Sequence, residues 1–298
     1  EILNRSDPLV REFLLKTALF PKVSADAARA LTGIAQAQEI LDDLTRRNYF
    51  TVRHTDPAGD TYQYHPLLRE FLLVQAELRY GSEGLNDARR HAAGLLEEHG
   101  EIESTIALRQ QAQDWEGTAR LVTAQAPSLL AQGRAQLLLR WLEGIPRVII
   151  DQLPWLSYWE GVGRLAYEPP LARALLENAY AGFKQQREAV GVYATWSAII
   201  ESYVYEWASV KPMLRWIEEF DSLSNDLPLS LAPEIEEHVA CALFLALMYA
   251  RPKHPGMLYW AKRAQEILLS TGDTQLQSSF APHVLLYCTW WLGDLAKA

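Results

Sequence analysis

The chain has 298 residues, 49% of them hydrophobic and 22% charged, so it can bury one large core or two or three ordinary ones. Its 28 Lys+Arg stand against 37 Asp+Glu, a formal charge of −9 that argues against a nucleic-acid binder working by phosphate neutralisation. No apolar run reaches the ~18–20 residues of a spanning helix, and Cys241 and Cys288 have neither metal nor disulfide-framework spacing, so we expect a reducing cytoplasm and no membrane contact. The chain begins at Glu1 rather than Met and stops at Ala298 in mid-pattern, and we expect a piece of a longer protein.

In chain order, Val10, Phe13, Leu14 and Thr17 fall on one helical face. Ser24 is placed to cap a second helix over Ala25–Leu31, with Asp26 in its first turn. Ile40, Leu41 and Leu44 predict a third, ending near Asn48. The period then changes: Tyr49–Arg53 reads as a strand, Pro57-Ala58-Gly59-Asp60 as a turn, and Thr61–Tyr64 as a second strand. His65-Pro66-Leu67 opens a helix whose Leu68, Phe71, Leu72 and Gln75 keep helical spacing. Three helices, a hairpin and a helix make a winged-helix layout over residues 1–80.

From about Ser82 the pattern is helical throughout. Predicted segments are Ala88–Gly100, Ile102–Gln113, Trp115–Ala126, Pro127–Gly133 and Ala135–Gly144, an arm over residues 81–150. Leu153–Tyr167, Pro170–Gln186, Glu188–Trp207, Ser209–Ser222, Pro233–Tyr249, Gly256–Ser270 and a segment from Asp273 past Trp291 follow, over residues 151–298. A loose period of about 34–40 residues, carried by Trp159, Gly163, Ala174 and Tyr180, suggests a tetratricopeptide-like solenoid. The fold class is therefore mainly α, a winged helix followed by helical hairpins. Residues 1–75 carry a net charge of −1 and the rest −8.

Catalytic patterns are missing: the sequence has no Gly-Lys dipeptide for a phosphate loop, no His-Glu-x-x-His, no Cys-x-x-Cys and no Gly-x-Ser-x-Gly. We expect no enzyme in this stretch, no metal site and no cofactor bound within it. His91 and His99 lie two helical turns apart, too far to share a metal without a third ligand. The pairs Glu97/Glu98, Glu218/Glu219 and Glu236/Glu237 read as solvated helix faces. A DNA-reading helix over Gln36–Arg47 would bring Glu39, Asp42 and Asp43 against phosphates, so direct nucleic-acid contact is not expected.

Two features stand out. His65 follows a strand and starts a helix, where an imidazole can bond a phosphate beside the positive helix end; the alternative is a turn histidine satisfied by nearby backbone. The other is aromatic density, with 10 Trp and 13 Tyr weighted to the helical array. Packing accounts for most of them, while Tyr193, Trp196 and Tyr203, on one face, are the candidate wall of a ligand site.

Val10-Arg11-Glu12-Phe13-Leu14-Leu15-Lys16-Thr17-Ala18-Leu19-Phe20 resembles the stretch that follows the nucleotide-binding domain in MalT-like regulators. The likeness continues through Leu41–Phe50 and is most specific at Tyr62-Gln63-Tyr64-His65-Pro66-Leu67-Leu68-Arg69-Glu70-Phe71-Leu72. His91-Ala92-Ala93, Glu97–Gly100, Asp114-Trp115-Glu116 and Leu139–Pro146 extend it to about residue 146. MalT-like regulators are STAND signal-transduction ATPases, many ending in a LuxR-type DNA-binding domain. The resemblance implies the order nucleotide-binding module, winged helix, arm, sensor and effector, with ADP holding the parent closed and ATP with Mg accompanying self-oligomerisation. It implies that His65 contacts an ADP phosphate, although no basic residue stands beside it before Arg69. Partners would be the parent's own nucleotide-binding domain and an inducer, small molecule or protein. The alternatives are a helical-repeat scaffold that binds another protein without a nucleotide switch, or a different effector, such as a kinase or cyclase, on the same core.

Overall fold

Asp7 starts the first helix, accepting a hydrogen bond from the Leu9 amide at 2.8 Å while Pro8 fills the first position, where no amide is needed. The structure, a computed structural model, describes residues 7–56, 59–226 and 232–293. It divides into two compact units, Glu1–Leu121 and Val122–Ala298.

In the first unit, α1 (Pro8–Thr17) leads to a short strand β1 (Val23–Ser24) and to α2 (Ala25–Thr32), which Ser24 caps through the Ala27 amide at 3.1 Å. Helix α3 (Ala37–Arg46) precedes the hairpin of β2 (Thr51–Asp56) and β3 (Gly59–Tyr64). Of the expected turn, Pro57 and Ala58 lie outside the described residues. All strands are antiparallel in the order β1-β3-β2, with Val23 opposite Tyr62 and Thr51 opposite Tyr64. Strand β1 carries no alternation over its two residues, which is why periodicity alone did not reveal it.

Helix α4 (Pro66–Glu98) is broken at Gly81, whose φ of 69° and ψ of 175° are open to glycine and costly for other residues. Its second half and α5 (Ile102–Gln111) pack onto the winged helix: Leu85, Ala92, Ala93, Leu96 and Leu108 join the core of Phe13, Leu14, Leu41, Tyr62 and Tyr64. The compact units thus divide at 121/122, where sequence reading sets divisions at 80/81 and 150/151.

Helix α6 (Trp115–Ala131) runs through Pro127, where the sequence suggests a break. Proline removes one amide donor and crowds the preceding turn, yet both flanking predicted segments lie on this one helix. In the second unit come α7 (Ala135–Glu143), α8 (Arg147–Gln152), α9 (Pro154–Arg164), α10 (Pro169–Gln186), α11 (Ala189–Glu206), α12 (Met213–Asp226), α13 (Pro233–Ala250), α14 (Met257–Ser270) and α15 (Thr274–Leu286). A π-helical turn, Tyr287–Trp291, ends the series. Short connections make neighbours into hairpins, with α10 on α9, α11 on α10, and α13 between α11 and α14.

Helices α11 and α13 are buried all round, Gly191–Tyr203 and Val239–Met248 without interruption, which is the signature of central helices. Close approach of the hairpins requires small residues: a Cβ on Gly161 would sit 2.7 Å from Leu176 Cγ and 3.1 Å from the Ala172 carbonyl oxygen. Gly94, on α4, has nothing within 4 Å of a Cβ. We predict that Gly161→Ala destabilises its unit by about 1–3 kcal/mol through overpacking, whereas Gly94→Ala stabilises by about 0.5–1 kcal/mol. Urea unfolding of the two variants checks both signs.

Candidate functional site

The string Tyr62–Leu72 separates into an inner and an outer set. Tyr62 and Tyr64 alternate inward on β3 and are fully or nearly buried. The Tyr64 hydroxyl lies 2.7 Å from Thr17 Oγ1, and that threonine donates at 2.7 Å to the Phe13 carbonyl. Tyr62 donates to Asp42 Oδ1 at 2.6 Å and accepts from Gln38 Nε2 at 2.6 Å. The Tyr62 bond, with a second from Gln38 Nε2 to Asp42 Oδ2 at 3.0 Å, holds the Asp42 carboxyl below its ordinary range. Arg69 turns its guanidinium to the carbonyls of Leu19, at 3.0 Å, and Phe20, at 3.3 Å, closing the segment after α1.

The outer set begins with His65, which is exposed. Its amide donates to the Phe50 carbonyl at 2.7 Å, and its Nδ1 accepts from the Leu67 amide at 3.3 Å as the N-cap of α4. An accepting Nδ1 places the proton of the neutral ring on Nε2, so the outward nitrogen is a donor at a helix N-terminus. The Phe50 ring meets the imidazole edge-on at 6.0 Å, from a backbone at φ 49°. On the first half of α4, Leu67, Phe71, Val74 and Leu78 recur every three or four residues and are exposed, Leu67 to 72% and Leu78 to 77%. Phe50 and Val52 are exposed as well. A run of large apolar side chains left in solvent beside a polar donor is the composition of an interaction face.

Along α4 and α5, Glu97 accepts from Arg109 at 2.8 Å and from Arg120 at 2.6 Å, and Arg109 also pairs with Asp114. Burial pushes the Glu97 carboxyl up, but the two arginines outweigh it and hold it below its ordinary value. Glu97 is therefore a structural anchor, a correction to the solvated face expected for the Glu97/Glu98 pair. Glu219 is similarly engaged, by Lys184 and by the Tyr180 hydroxyl at 2.8 Å.

In the second unit, Tyr193 and Trp196 have no exposed surface, and the Trp196 indole donates to the Trp216 carbonyl at 2.8 Å. Both pack on Phe220. Tyr203 is nearly buried under the Arg173 guanidinium, 3.9 Å above its ring, at the edge of a shallow groove. The three share a helix but no cavity wall: burial on every side of α11 leaves the face they define inside the core. A cavity of about 370 Å³ lies instead where α11, α13 and α15 meet, lined by Glu201, Tyr205, Trp207, Ser279, Phe280 and His283 among others. Two of its aromatic residues, Tyr205 and Trp207, lie two and four positions beyond the run that spacing singles out. Among the described residues no group of three or more His, Cys, Asp or Glu could hold a metal, and no helix is long and apolar enough to cross a membrane.

Residues 1–84 match the family described as MalT winged helix domain. This stretch is similar to MalT winged helix domains. Among similar proteins, the HTH-type transcriptional regulator MalT of Cronobacter sakazakii is 34% identical over 93 residues, 31% of this chain and 10% of that regulator. The serine/threonine-protein kinase PknK of Mycobacterium tuberculosis, and that of Mycobacterium bovis, are 25% identical over 149 residues, 50% of this chain and 13% of the kinase. The matched stretches thus span about a tenth of these relatives. The kinase match, at 149 residues, is longer than the 84-residue stretch that matches the winged helix family.

The anchor at Glu97 sets a pH dependence. A carboxyl held low when folded adds stability that is complete above its unfolded value, near 4.5, and is lost as pH falls through the folded value. We predict that Glu97→Gln costs about 1–2 kcal/mol at pH 7, and that the gap from wild type closes between pH 5 and pH 3, about the unfolded carboxyl value. Thermal melts across that range check it.

Proposed function

We propose that this chain is the regulatory region of a STAND-type, ATP-dependent transcriptional regulator in the cytoplasm. In this reading the MalT winged helix domain docks its outer face on an upstream nucleotide-binding module and holds it closed around ADP. The helical array senses an inducer, and binding shifts the population towards an open, ATP- and Mg-bound parent that self-oligomerises. The observation that supports it most is the setting of His65: a donor Nε2 at the N-terminus of α4, beside exposed Phe50, Leu67 and Phe71. That combination suits a phosphate at the histidine and an apolar protein surface next to it. Arg69, spent on the Leu19 and Phe20 carbonyls, is not available to help, so His65 carries the phosphate contact alone on this domain.

The kinase likeness over 149 residues favours a second reading of the output: the same regulatory region set before a different effector. Both outputs leave the switch unchanged.

The test is the nucleotide released on denaturing the purified full-length parent. Wild type should carry ADP near one equivalent, and His65→Ala should hold several-fold less and raise basal output. A double change of Leu67 and Leu78 to Asp, both solvent-exposed here, should also raise basal output by loosening the dock. Nucleotide in neither wild type nor variant overturns the switch and leaves the scaffold reading; equal ADP in wild type and His65→Ala returns the histidine to a helix cap.

A further inference from the structure

The cavity between α11, α13 and α15 has features that the packing of helical hairpins does not require. Glu201 lies within the thirteen-residue buried run of α11 and still lines the cavity. His238 donates from Nε2 to Glu201 Oε1 at 2.7 Å, and Phe280 meets that imidazole edge-on at 5.5 Å. A carboxylate accepts several hydrogen bonds, so one imidazole does not saturate it. A buried ion pair is weak as a stabiliser, because desolvation offsets the attraction.

The rim is made of a second set of rings. Trp207 caps α11 in a left-handed conformation, φ 53°, unusual for a bulky residue, and remains 64% exposed. It meets Tyr249 edge-on at 5.4 Å, and the Tyr249 hydroxyl lies 2.8 Å from His283 Nδ1. Tyr205 and Phe280 supply further aromatic wall, and Ser278 and Ser279 add hydroxyls.

The charge facing the cavity has one sign. Among the described lining residues Glu201 is the one carboxylate, no lysine or arginine joins it, and burial pushes His283 down towards its neutral form. The field of Glu201 adds to burial in pushing up the hydroxyl of Tyr205 and the thiol of Cys241, the latter to about 12. His238, bonded to Glu201 and not among the lining residues, is held above its ordinary value because Glu201 outweighs burial. A carboxylate at the floor and aromatic faces at the wall form the usual recognition set for an organic cation.

We propose that this cavity is a ligand site for a small organic amine carrying an aromatic or alicyclic ring, its ammonium bonded to Glu201 and its ring against Trp207 and Tyr205. The volume, about 370 Å³, holds a ligand of modest size. The proposal rests on the sensing role given to the helical array above and names its ligand class.

The test is calorimetric titration of the whole chain with phenethylamine and, as a matched anion, 3-phenylpropionate. The amine should bind saturably at one site, with the anion at least tenfold weaker. Glu201→Gln should weaken the amine at least tenfold, and Trp207→Ala, an exposed position that leaves the core intact, at least fivefold. Equal binding of amine and anion, an amine affinity unchanged in Trp207→Ala, or no saturable binding to the folded wild type overturns the proposal. Because the titration involves no nucleotide, its failure leaves the ADP measurement on the parent standing, and a parent without nucleotide leaves the amine site standing.

Discussion

A tyrosine hydroxyl buried in a protein core needs a partner, and Tyr64 finds one at 2.7 Å in Thr17, 47 residues earlier in the winged helix. That bond fixes the register of β3 against α1. Because side chains alternate along a strand, fixing Tyr62 and Tyr64 inward leaves Gln63 and His65 on the other side. The outward placement of the imidazole, its capping of α4 and the exposure of Leu67 and Phe71 one turn apart all descend from that choice. The residues buried beneath His65 do as much for the candidate site as the histidine itself.

The same division explains what each part of the shared string does. Tyr62, Tyr64, Arg69 and Leu72 turn to the core, bonding Asp42, Thr17 and the carbonyls after α1 or packing apolar surface. His65 caps α4 and keeps its ring exposed, and Leu67 and Phe71 are exposed beside it. Further along, Glu97 pairs with Arg109 and Arg120, and Asp114 with Arg109, which is an architectural role.

Much of this was legible in the sequence where one face of an element is wet. The amphipathic spacing of Val10–Thr17, the Ser24 cap and the switch of period at Tyr49 locate the winged helix because each carries a directional pattern. Legibility fails where burial is complete. Helices α11 and α13 are apolar on every side, so the spacing of Tyr193, Trp196 and Tyr203 defines a face without saying what it faces. The cavity draws on Glu201, Phe280 and His283 from helices more than seventy positions apart in sequence at their extremes, and no local pattern joins them. Two-residue β1 and six-residue α8 are too short to show a period, and Pro127 looks like a break because its cost is local while the packing that offsets it is not.

Gly81 gives the first unit a mechanical property that a continuous α4 would lack. An unbroken helix of this length transmits rotation and axial push as a rod, since its hydrogen-bond ladder resists bending along every turn. At Gly81 the backbone leaves the helical basin for one residue, so the ladder is interrupted between the half bearing Leu67–Leu78 and the half bearing Glu97. The two halves are joined through the two dihedral angles of Gly81, where an added Cβ would have nothing within 4 Å. Movement of the outer, histidine-bearing half is thereby filtered: bending at the joint is absorbed, and only displacement carried through side-chain packing reaches the helix that Glu97 anchors.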